Sequence, residues 1–292
     1  MNQRWDVLAI VPEIFESWLQ QSSKTDLKPE ALGPEAQEKL NPGRKSLGDV
    51  AVIRISGFIT QKPNIFTLLF GGTSTEMLAR EVRAAMGDPS IASLILDVDS
   101  PGGDVQGVTE AANAIRGLRG RKPMIAVANP IMASAAYWLG AQADEVIATP
   151  SAIMGSIGVF AVHMDESAAI ANAGIKLTPV TWGRMKLSGA SFLPLSEEAR
   201  ASMQARVDYF GKVMESDIAK GRRISPASVH GQYGEGEVFT PPGAKARGLV
   251  DRIATLEEIA GHLARGKGLP PIPPRAFDPV EIAARASLAG IE

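Results

Sequence analysis

Hydrophobic positions along the chain change period from segment to segment. VAVIRIS (50–56) alternates β-branched with other residues, the period-2 pattern of a half-buried strand. SLILDVD (93–99) and PMIAVA (123–128) are nearly unbroken apolar runs, as in strands covered on both faces. EVIAT (145–149), IGVFAV (157–162) and Lys176–Trp182 predict three more strands. Helical periods separate them. Thr73 and Glu76 are spaced as a capping box ahead of a face made of Met77, Leu78, Val82 and Ala85. Val105, Val108, Ala111, Ala112, Ile115 and Leu118 mark a second helix. SAAYWLG (134–140) begins a short one, and another falls near 166–173. The longest starts at Ser196, carries Glu197 and Glu198 in its first turn, and ends at Lys220–Gly221. That charge order suits the helix dipole, and Ala199, Met203, Val207, Phe210, Met214 and Ile218 form its core face.

Strands alternating with helices imply an α/β fold with a largely parallel sheet and helical crossovers. Chemistry in such folds gathers at the carboxyl ends of strands. This points to the residues after Asp99, after Ala128 and after Trp182.

The ends of the chain read differently. Residues 1–20 suggest a short amphipathic helix, because Asp6, Glu13 and Glu16 interrupt the apolar positions. The same acids exclude a signal-peptide core, and no apolar run approaches the roughly 20 residues of a spanning helix. Residues 21–48, rich in Gln, Ser, Lys, Pro and Gly, read as a linker to a main domain over 49–265. Residues 266–292 form a Pro-rich tail with a short helical pattern from Pro279 to Leu288. Asn64–Gly72 is apolar for a loop, which suggests a subunit contact or a flap over substrate.

Composition narrows the chemistry. Thirty Lys and Arg against 32 Asp and Glu leave a net charge of −2, so no basic excess points to nucleic acid. With no cysteine there is no disulfide, thiolate metal site or cysteine nucleophile; three histidines (His163, His230, His262) are few for a metal centre. No cofactor or metal is expected, and Asp97, Asp99 and Asp104 read as structural or capping acids. The absence of cysteine fits a cytoplasmic chain.

Ser100-Pro101-Gly102-Gly103-Asp104 is either a tight strand-to-helix turn or a loop whose glycines bring backbone N–H donors up to an oxyanion. Ser134, between a buried strand and a helix and flanked by Ala133, Ala135 and Ala136, is either an N-cap or a nucleophile open to close approach. A nucleophilic serine needs a base. His163, followed by Asp165, is one candidate. Lys186, in the loop WGRMKLSG, is the other; burial would favour its neutral form.

Taken in order, DVDSPGGDVQGV, ANPIMASAAYWLG, GSIGVFAVHMDESAAIANAGIKLTPVTWGRMK, LPLSEEAR and GEVFTPPGAKARGLVD resemble the signal peptide peptidase A family of serine–lysine peptidases, from about Asp49 to Glu258. The chain looks most like the phage and prophage branch, the capsid-assembly or head-maturation proteases, and RWDVLAIVPEIFESW resembles their N-terminal segment. The resemblance implies a Clp protease/crotonase-like fold of ββα units wound into a superhelix. It implies Ser134 as nucleophile and Lys186, 52 residues later, as general base. The N–H groups of Gly103 and Ala135 become the oxyanion donors, with Gly102 shaping the loop. It further implies a homo-oligomeric ring, sites shared across interfaces, and phage scaffold, portal or capsid precursors as polypeptide substrates in the host cytoplasm or prohead. A general peptide-degrading enzyme, an acyl-CoA hydratase or isomerase of the same fold, and a non-catalytic assembly protein are the alternatives.

Overall fold

The alternating segment VAVIRIS and the two apolar runs become the centre of one sheet. In the computed structural model, which describes residues 7–11, 45–63, 67, 71–265 and 269, they form β3 (Val50–Thr60), β5 (Ser93–Asp104) and β6 (Met124–Ala133). β7 (Glu145–Ala148) and β10 (Arg252–Ile253) extend the sheet on one side and β2 (Lys45–Leu47) on the other, in the order β10-β7-β6-β5-β3-β2. All of these neighbours run parallel except β2, which pairs antiparallel with β3. The period-2 alternation divides the side chains between two cores. Leu94, Leu96 and Val98 with Met124, Ala126 and Ala128 face the main core. That core is completed by α1 (Thr75–Gly87), α2 (Val108–Arg116), α3 (Ala135–Gly140) and the end of α5 (Glu197–Arg222). Ile95, Ile125, Val127 and Ile147 face a smaller core closed by Ile259, Ala260 and Leu263 of α8 (Leu256–Ala264).

Each long strand bends and gains a new partner. The β3–β5 register slips between Ser56 and Phe58, and the β5–β6 register between Val98 and Ser100. Beyond these points β3 pairs with β4 (Gly72–Ser74) and β5 with β1 (Leu8–Ile10). β6 pairs with β8 (Ile153–Gly155), which in turn meets β9 (Val238–Phe239). Two strand segments followed by a helix thus recur as the repeating unit, in the α/β architecture with helical crossovers that the sequence implied.

Several local expectations change. Leu8–Ile10 is a strand, not part of an amphipathic helix: all three side chains are buried and the backbone is paired on β5. The rest of the expected 1–20 helix lies outside the described residues. Residues 45–47 of the expected linker are strand, and 21–44 fall outside the description. The 64–72 loop is described only at Thr67, Gly71 and Gly72, and the 266–292 tail only at Leu269. SPGGD is not a turn into a helix, because β5 continues to Asp104 and α2 begins at Val108 after Gly107. The cap of α1 is Ser74, whose side chain accepts from Met77 N, while Thr73 belongs to β4. IGVFAV is not a strand; Phe160 makes a single bridge to Leu8. Lys176–Trp182 is not a strand: among the described residues no strand lies beside it, and Val180 is 94% exposed and Trp182 98%.

β1 is held with little surplus. Burying an aliphatic side chain contributes about 1.5–3 kcal/mol, and ordering each residue's backbone costs about 1–2 kcal/mol. Val7, Leu8, Ala9 and Ile10 are all buried, so side-chain burial and the cost of ordering are of similar size along this short segment, and the surplus comes from the few main-chain hydrogen bonds on its two edges.

Candidate active site

Ser134 stands at the junction between β6 and α3. Its backbone has φ 54° and ψ −120°, a conformation that costs a non-glycine residue about 1–3 kcal/mol. It is not a cap, since its side chain makes no capping hydrogen bond, whereas Ser74, Ser196 and Ser225 each accept from an N–H three residues on. Two backbone bonds hold the strained turn: Ser134 N donates to Gly155 O (2.8 Å) and Trp138 N to Ser134 O (2.9 Å). The hydroxyl points elsewhere and donates to Gly158 O at 3.4 Å.

α3 is rigid beneath it, with every residue from Ala135 to Gly140 buried. Trp138 Nε1 donates to Asp217 Oδ2 (3.2 Å) and Tyr137 OH to Leu249 O (2.7 Å). Nearby, Arg222 grips Asp251 through two bonds of 2.9 and 2.8 Å, and Asp251 Oδ2 also accepts from Val146 N (2.9 Å). The last turn of α5 is thereby bolted to β7.

The SPGGD segment lies alongside. Ser100 Oγ donates to Gly57 O (2.6 Å) and accepts from Gly102 N (3.2 Å), which fixes the bend and occupies the Gly102 donor. Gly102 has φ 109°, and a Cβ there would strike Ala9 O and come within 3.0 Å of Ser134 Cβ. A Cβ on Gly103 would strike the backbone of Ile59 in β3. Glycine at both positions is what lets β5 pass between its neighbours and reach Ser134. Ala135 is the first residue of α3, and its N–H is among the donors that a helix start leaves without an intrahelical acceptor.

The candidate bases lie outside this cluster. Lys186 stands in an exposed turn closed by its own N–H donating to Gly183 O (3.1 Å). Among the described residues no hydrogen bond joins its ammonium to Ser134. The neighbouring Arg184 pairs with Glu198 at the start of α5. His163 Nε2 meets Ala190 O at 3.3 Å. Asp165 does not orient that ring. It accepts from Ser167, and this hydrogen bonding holds its carboxyl below the usual aspartate range. Asp97 accepts from Asn129 Nδ2 (3.0 Å) and Asp99 pairs with Arg54 (3.4 Å), which are structural roles. No cluster of metal-ligating side chains occurs among the described residues.

Three contributors were not visible from the sequence. Ser100 looked like part of a turn, yet it anchors the bend. The glycines of GSIG (155–158) supply both acceptors for Ser134. The run VLAIV (7–11) lies against Gly102 and Gly103; a run that short fits a strand or a helix turn equally well.

The family follows from comparison with known proteins. Residues 117–270, more than half of the chain, match the model of peptidase family S49, and the chain belongs to that family. It is 28% identical to the head-tail preconnector protein GP5 of Enterobacteria phage P21 over 74% of this chain and 42% of that protein. It is likewise 28% identical to the capsid assembly protease C of Escherichia phage lambda, over 71% of this chain and 47% of that one. The chain thus spans less than half the length of these relatives. Among solved structures it resembles a ClpP1 variant of Listeria monocytogenes, with a TM-score of 0.43 and 14% identity over 71% of this chain and 92% of that one. Among the described residues, no helix is long and apolar enough to cross a membrane.

Proposed function

We propose that the chain is a serine endopeptidase in which Ser134 is the nucleophile and Lys186 the general base. The observation that carries this reading is the Ser134 junction: a buried serine in a strained backbone, free of capping duty, beside a strand that only glycine could form. Nζ of a neutral lysine takes the Ser134 hydroxyl proton as Oγ bonds to the substrate carbonyl carbon. The carbonyl oxygen becomes an oxyanion held by the N–H groups of Gly103 and Ala135. Collapse breaks the C–N bond, and Nζ returns the proton to the leaving amine. Water then attacks the acyl-enzyme; its proton passes through Nζ to Oγ as the ester bond breaks.

The base is delivered on association. Lys186 is exposed, and just before it lie Ile175, Leu177, Val180 and Trp182, all exposed. Such a strip marks a contact surface. A second copy seated there would cover the segment and bring one chain's Lys186 to another's Ser134, as ring assembly with shared sites implies. The acyl-CoA alternative has less support, because Asp97 and Asp99 are engaged by Asn129 and Arg54.

The substrates proposed are precursor proteins of a phage head, in keeping with the phage relatives, and the place of action is the host cytoplasm or the prohead. The test is mass spectrometry of co-expressed scaffold, portal and capsid proteins. Discrete cleavages with the wild-type chain that vanish with Ser134→Ala support the reading; the same fragments with both chains refute it.

A further inference from the structure

β1 lies beside Ser134, between two backbone edges. It runs antiparallel to the end of β5, with Leu8 opposite Asp104, Ala9 opposite Gly103 and Ile10 opposite Gly102, and Val11 N donates to Pro101 O (3.1 Å). Its other edge is bound to the segment that receives the Ser134 hydroxyl: Leu8 N donates to Phe160 O (2.8 Å) and Phe160 N to Leu8 O (2.9 Å). Residues 7–11 therefore bridge two backbone edges that flank the serine. The point where a Gly102 Cβ would sit is shared by Ala9 O and by Ser134 Cβ, so the Ala9 carbonyl is packed against the nucleophile's own surroundings. Ser134 has no exposure to solvent.

The side chains alternate as a bound peptide's would. Val7 and Ala9 turn into the main core, where Ala9 has no free surface and no space for a longer side chain. Leu8 and Ile10 form a separate small cluster with Phe58 and Phe160. Strand addition of this kind takes its affinity from main-chain hydrogen bonds and its selectivity from alternate side-chain pockets.

We propose that Val7–Val11 is a built-in occupant of the substrate groove, closing the site until it leaves. The groove is then a strand-addition site for extended polypeptide segments that place a small residue opposite Gly103 and large apolar residues on either side of it. This rests on the peptidase reading of Ser134. Because β1 is held with little surplus, a competing segment of the same pattern can displace it. The population of open molecules sets the apparent reactivity of the serine.

The test is the labelling rate of Ser134 by a fluorophosphonate in the full chain, with Ser134→Ala as blank. Two variants dislodge the strand in different ways. Ala9→Arg puts a long cation where there is no space, and Leu8→Pro removes the N–H that donates to Phe160 O. Each should label about tenfold faster than the wild type or more, with hydrogen exchange of β3, β5 and β6 unchanged as proof of fold. A peptide of residues 4–13 should then slow labelling of both variants, and the same peptide carrying Ala9→Arg should not. Wild-type labelling as fast as that of both folded variants overturns the occupancy while leaving Ser134 as nucleophile. Equal effects of the two peptides overturn the groove preference. No labelling in any folded chain removes the nucleophile reading, and this inference with it.

Discussion

The region around Ser134 and the region around Lys186 are built on opposite terms. Ser134 sits where β6, α3, the bend of β5 and the 155–158 glycines meet, and buried hydrogen bonds fix each of these elements. Residues 163–190 have few such anchors. Exposed or half-exposed throughout, they are closed on themselves by His163 with Ala190 and by Glu166 with Ser191, and Arg184 pairs with Glu198 at the start of α5. A fold can hold a nucleophile in strain only where the surroundings over-determine the backbone. The proposed base lies on the weakly anchored segment and needs a further contact to place it, for which the exposed strip from Ile175 to Trp182 is the proposed surface.

The largest test of this contrast is catalytic. Ser134→Ala and Lys186→Ala should each lower peptide turnover by about 10⁴-fold or more, because the members of the proposed dyad would act as a unit. His163→Ala should keep turnover within about tenfold of wild type. A dead His163 variant beside an active Lys186 variant would replace lysine with histidine in the mechanism.

Stability should differ just as sharply. Asp251→Ala leaves Arg222 charged and buried, which should cost about 3–5 kcal/mol in denaturant unfolding. Arg184→Ala breaks an exposed pair and should cost less than about 1 kcal/mol. Comparable losses would mean that the 163–190 region is braced as firmly as the serine side.

The proposed lysine base also carries an expected pH dependence. Turnover should still be rising, about tenfold per pH unit, above the ordinary imidazole range near 6.5, because an ammonium must lose its proton before it can accept one. A plateau reached by pH 6 would point to a carboxylate or histidine. Smaller again in its effect on the single chain is Val180→Ser with Trp182→Ser. Unfolding free energy should change by no more than about 0.5 kcal/mol. Sedimentation should nevertheless shift to smaller species, with activity lost in parallel.

The sequence revealed the buried half well and the exposed half poorly. Nearly unbroken apolar runs such as SLILDVD located the central strands because both faces of each are covered. Ser134 could not be told from a capping serine, since Ser74 and Ser196 occupy the same place before a helix; only the φ of 54° and the direction of the hydroxyl separate them. The outer segment of β5 escaped notice because Pro101, Gly102 and Gly103 read as turn formers, yet the register slips admit them into the strand. KLTPVTW has the composition of a strand, but pairing is a property of the neighbour, and among the described residues no strand lies beside it.

The most direct measurement mixes two inactive proteins. Ser134→Ala and Lys186→Ala chains, each assayed alone and then together after dissociation and reassembly, report whether the base crosses between copies. Neither alone should cleave peptide, and the mixture should recover activity in proportion to the sites that pair an intact serine with an intact lysine from a neighbour. A mixture that assembles normally and stays inactive, while wild type treated in the same way is active, would contradict delivery of Lys186 from a second chain.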